Sequence, residues 1–164
     1  MGTAATLLDS ARSDTARAWR EAEGATGPLP WARERADCIA AVQAAVPRGI
    51  LAVTLSRATW HAFPLGALIG SAGQRRLLYV PIGTDPTGLF GPSPDRDPGV
   101  AGDADAWARR LVEAGPDALV VLADPEDAAT GQDPPERTWA RERPDIFRPV
   151  AVTKHCEVFA VRHP

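Results

Sequence analysis

A chain of 164 residues that is 45% apolar and 24% charged can bury a substantial core, which excludes wholesale disorder. Its net charge of −3 excludes the concentrated basic surface that a nucleic-acid partner would require. No apolar run reaches the roughly 20 residues that a helix needs to cross a bilayer.

The first expected helix runs over residues 3–23, with Leu8, Ala11, Thr15, Trp19 and Ala22 stepping along one face. Gly24 and Gly27-Pro-Leu-Pro30 stop it. Apart from Leu7, Leu8 and Trp19 the segment is weakly apolar. It reads as a docked arm, a homo-oligomer contact or a linker. Residues 1–30 are therefore set apart from a single α/β domain over 31–164. The chain start, Met1-Gly-Thr-Ala-Ala-Thr-Leu-Leu, lacks the basic start and long apolar core of a secretory signal, so a cytoplasmic location is expected as written.

A second helix is expected over 31–46, burying Ala32, Ala36, Ile39, Val42 and Val46 while Arg33, Glu34 and Arg35 face water. Pro47-Arg-Gly49 ends it. Residues 50–55 are almost unbroken apolar sequence, which suits a strand covered on both faces in a parallel sheet. Residues 56–74 form a long connection with a short helix near 65–69, and residues 76–82 form the next strand. Pro81 has no amide donor, so it belongs at that strand's end or on a sheet edge. Residues 83–102 read as a Pro/Gly/Asp-rich loop.

Asp103 is the expected N-cap of a helix over 104–114 that gathers Ala104, Trp107, Leu111 and Ala114 on one side, and Gly115 closes it. Residues 118–123 are the third buried strand. A short helix over 135–142 follows. Residues 150–152 and 158–161 then make a hairpin around Thr153-Lys-His-Cys156. This order implies an α/β fold: a three-layer sandwich with a mostly parallel sheet, helices on both faces and a C-terminal antiparallel hairpin.

In such sheets ligands bind beyond the carboxyl ends of the parallel strands. Those tips carry Arg57, Trp60 and His61 after the first strand, Asp85 after the second, and Asp124 and Asp127 after the third. An indole beside several carboxylates suits a sugar. The competing reading packs Trp60 and Phe63 onto the core and leaves the acids to cap turns. An acid–base enzyme would pair His61 with Asp85 or Asp124. No dinucleotide fingerprint or P-loop accompanies Gly66, Gly70 and Gly73, so no cofactor is expected. No catalytic residue and no metal ligand set stands out. Cys38 and Cys156 fit no disulfide framework or zinc motif and are expected to be reduced, buried small hydrophobes. In His155-Cys156-Glu157, neighbouring strand residues point to opposite faces, which argues against a thiol–base pair.

The ordered motifs are the helix before Pro47-Arg-Gly49, Phe63-Pro-Leu-Gly66, Arg76-Leu-Leu-Tyr-Val80, the Trp107/Leu111 helix, Pro134-Pro-Glu-Arg-Thr-Trp139 and Pro144-Asp-Ile-Phe-Arg-Pro-Val150. Over about residues 36–162 this order resembles the soluble C-terminal domain of bacterial membrane glycosyltransferases that use polyprenyl-phosphate sugars. These are core and turn residues, so the resemblance concerns fold more than activity. It implies an extracytoplasmic domain whose catalytic carboxylates belong to a membrane part absent from this chain. The resulting expectation is a non-catalytic accessory domain that binds a carbohydrate or a membrane glycosyltransferase partner. A small enzyme and an oligomerising structural module are the alternatives.

Overall fold

The computed structural model describes residues 35–54, 68–70, 73–83, 101–123 and 133–163. In chain order these contain α1 (Ala36–Ala45), β1 (Gly49–Val53), β2 (Arg75–Leu78), α2 (Ala104–Ala114), β3 (Ala118–Leu122), α3 (Pro135–Glu142), β4 (Phe147–Val152) and β5 (Cys156–Val161). The strands form one sheet in the order β2-β1-β3-β5-β4.

The three apolar segments run side by side in one direction as expected, because β1 pairs parallel with both β2 and β3. The sheet is nevertheless mixed, since β3–β5 and β5–β4 are antiparallel. That corrects the mostly parallel expectation. Only three residues separate β4 from β5, too few for a parallel crossover. β5 is apolar on both faces apart from Glu157, so it lies inside the sheet instead of forming a detached extension.

Alternation along the strands divides the core into two clusters. Leu51, Val53, Val120, Leu122, Cys156 and Val158 meet Cys38 and Val42 of α1. Ala52, Leu119, Val121, Phe159 and Val161 meet Trp107 and Leu111 of α2 and Ala140 of α3. Aromatic rings fill the second cluster. Trp107 lies 5.6 Å from Trp139 and 5.5 Å from Phe147 between ring centroids.

α2 forms where its caps predict. The Asp103 carboxylate accepts from the Ala106 amide at 2.9 Å, and Gly115 takes the left-handed conformation (φ 69°) that closes the helix. α3 spans residues 135–142, with Pro135 preset for its first turn.

α1 departs from expectation. Its inward face is Cys38 and Val42, continued by Arg35 and Val46, while Ala36 is exposed and Arg35 is buried instead of solvated. The helix turns so that Cys38 meets β5. β2 is also shorter than expected: it ends at Leu78, leaving Pro81 and Ile82 beyond a sheet-edge strand.

Cys38 and Cys156 form a disulfide across 118 residues of sequence. This corrects the reduced-thiol expectation, although both residues are fully buried as anticipated. Sequence separation carried no signal. Packing of α1 on β5 brings the two Cα atoms to 5.7 Å.

Candidate functional site

Polar side chains stitch the ends of the sheet. Beyond the carboxyl end of β1, the Thr54 hydroxyl accepts from the Leu122 amide at 3.0 Å, and the Thr54 amide donates to Val120 O at 3.1 Å. At the opposite end, the Asp117 carboxylate accepts from the Ile50 amide at 2.7 Å. The Asp117 amide returns a bond to Ile50 O at 2.9 Å. Gly49 (φ 125°) lies so close to that carboxylate that any side chain there would collide with it.

Arg75 is buried on the edge strand. Its Nε donates to Leu68 O, and its Nη1 reaches Val46 O at 3.2 Å and Pro47 O at 3.4 Å. It thus satisfies carbonyls at the end of α1 and favours the negative pole of that helix. Burial lowers its pKa from the ordinary arginine value.

An ionic cluster centred on the buried Glu157 joins α3 to β5. Glu157, almost fully inaccessible, accepts from Arg137 Nε at 2.7 Å and from Arg141, while Arg137 also holds Asp133 at 3.0 Å. Burial pulls the Arg137 pKa down, but Glu157 and Asp133 outweigh that effect and the net shift is upward. Cys156 joins the α1 cluster and Glu157 faces α3, whereas His155 lies in the turn before β5, so the opposite-face expectation for His155 and Cys156 does not apply there. With Cys156 in a disulfide, the pair offers no nucleophilic thiolate.

The strand order places β1 between β2 and β3, the arrangement in which open α/β sheets bind ligands beyond the carboxyl ends of the two strands where the order reverses. The six residues proposed for those tips, Arg57, Trp60, His61, Asp85, Asp124 and Asp127, all lie outside the described residues. The helix expected over residues 3–23 and all but the ends of the loop expected over 83–102 do too. Among the described residues, no three His, Cys, Asp or Glu side chains group as a metal site, and no helix is long and apolar enough to cross a membrane.

The concavity that the described residues do define lies at the other end of the sheet, between α2 and the segment entering β4. It is an open groove of about 530 Å³. Ala108, Val112 and Ile146 supply apolar surface, and Arg109, Arg143, Arg162 and His163 line it with Glu113 and Asp145. Arg143 is ion-paired with Asp105. The His163 Nε2 lies 2.9 Å from Pro116 O; a carbonyl only accepts, so Nε2 carries the hydrogen there. Sequence reasoning missed this groove because its walls come from residues 108–113, 143–146 and 162–163. Each arginine alone reads as solvated surface charge.

Scans of the chain against protein-family models, curated proteins and solved structures found no match.

Proposed function

We propose that this chain is a non-catalytic accessory domain that binds a glycan or a partner protein, in a three-layer, Rossmann-like fold akin to the soluble part of membrane glycosyltransferases. The observation that carries the reading is how several chemistry-bearing side chains among the described residues are engaged. Asp103, Asp117 and Thr54 each bind a backbone amide, Glu157 is held by two arginines, and both cysteines share one bond. A general acid or base must exchange its proton with a substrate in reach. These groups instead hold strands and helices together, while the groove stays open to ligand. The disulfide supports a site of action outside the reducing cytoplasm, because such bonds persist where thiols are oxidised.

Isothermal titration against cell-wall oligosaccharides and polyprenyl-phosphate head groups tests the reading, alongside partner pull-down with Trp60→Ala. Heat evolved on glycan addition, or a pull-down lost in the variant, is the expected result. Flat titrations together with an unchanged pull-down overturn it.

A further inference from the structure

Resting on that reading of the chain as a binding domain, we propose that the groove between α2 and residues 143–146 docks an acidic peptide segment of a partner protein. The segment places one or two apolar side chains on Ala108, Val112 and Ile146 and a carboxylate on Arg109 and Arg162. At about 530 Å³ the groove falls in the size range of ligand sites.

Its charges select the occupant. Arg143 already pairs with Asp105. Arg109 and Arg162 are exposed, and neither guanidinium has an ion-pair partner among the described residues. A planar guanidinium fork matches a carboxylate in two parallel hydrogen bonds. Glu113 and Asp145 stand on the same rim, so a polyanion or an anionic membrane surface would meet repulsion. A small anion alone would leave the apolar surface uncovered. An apolar centre with arginines and a rim of both signs is the anatomy of a protein interface.

Recognition runs through side chains and not through strand addition. The Arg162 amide already donates to Ile146 O at 2.9 Å, and the Phe147 amide to Arg143 O at 2.8 Å, so the backbone beside the groove is occupied.

The test is amide NMR of the full chain with pools of capped hexapeptides carrying Leu, Val or Phe at the centre and Asp or Glu on the flanks. Acidic pools should shift the amides of Ala108, Val112, Ile146 and His163, and the exposed double variant Arg109→Glu/Arg162→Glu should weaken binding about tenfold, as for close charge pairs at interfaces. Lysine-flanked pools should bind that variant better than they bind the wild type. Amides of β3 serve as the folding control. The proposal is overturned if no acidic pool shifts these amides, or if the charge swap has no effect. It is equally overturned if acetate or inorganic phosphate produces the same shifts, or if they follow protein concentration without peptide. A peptide response beside flat glycan titrations would remove only the glycan arm of the broader reading. Glycan binding with silent peptide pools would remove this inference alone.

Discussion

The two halves of the sheet are held together in different ways. In the parallel half, β2-β1-β3, the strands come from distant parts of the chain; Thr54 and Asp117 stitch the ends of β1 and β3, and Arg75 ties β2 to the end of α1. In the antiparallel half a three-residue turn joins β4 to β5, so backbone pairing there is local. What has to be secured is the hairpin's attachment to the helices, and one covalent bond and one ionic cluster do it. The contrast teaches that pairing of distant strands is trimmed by single side-chain contacts, whereas a local hairpin, besides pairing β5 with β3, is tied to the helices by a disulfide and an ionic cluster.

The largest expected effect breaks the antiparallel half. Replacing both cysteines with alanine frees a 118-residue loop and should cost about 5 kcal/mol on the chain-entropy estimate, read as a lowered denaturation midpoint. Alanine avoids burying a new polar group in the α1 cluster. A midpoint unchanged from the oxidised protein would show that α1 docks on β5 by packing alone.

Glu157→Gln comes next. It removes the buried charge facing Arg137 and Arg141 and should cost about 3 kcal/mol, in the range for breaking a buried pair. The raised Arg137 pKa fixes the sign of its pH dependence. A group whose folded pKa is raised stabilises fully below its unfolded pKa and loses that stabilisation only as pH rises through the folded value. The arginine side of the cluster therefore holds across the neutral range and fails only in strong alkali. A denaturation midpoint equal to that of the wild type would mean that Glu157 is dispensable.

The smallest effect belongs to the parallel half. Thr54→Val keeps the shape but leaves the Leu122 amide without its acceptor, at a cost of about 1.5 kcal/mol. Hydrogen exchange should quicken at Leu122 before the rest of β3. Uniform quickening across the sheet would mean that the stitches act globally, and the distinction between the halves would fall.

Part of this architecture was legible in the residues. The Asp103 and Gly115 caps delimited α2, the short helix expected over 135–142 is α3, and three apolar runs gave parallel strands. These features depend on neighbours within a turn or a strand. The groove was not legible, since nothing in the sequence around Arg109 predicts that Arg162 lines the same cleft. Nor was the rotation of α1, where the expected stripe included Ala36 and left Arg35 in water, while contact of Cys38 with β5 turns Cys38 and Arg35 inward.

Among the described residues, the sequence by itself determined which segments are helix or strand, to within a few residues at their ends, because caps, proline and periodicity act through local sterics and hydrogen bonding. Tertiary structure alone decided that β5 enters the sheet beside β3, that two thiols 118 residues apart become one bond, and that five charged residues and a histidine rim one groove. Those outcomes depend on distances through space, which chain order leaves open until the two faces of the sheet have been filled.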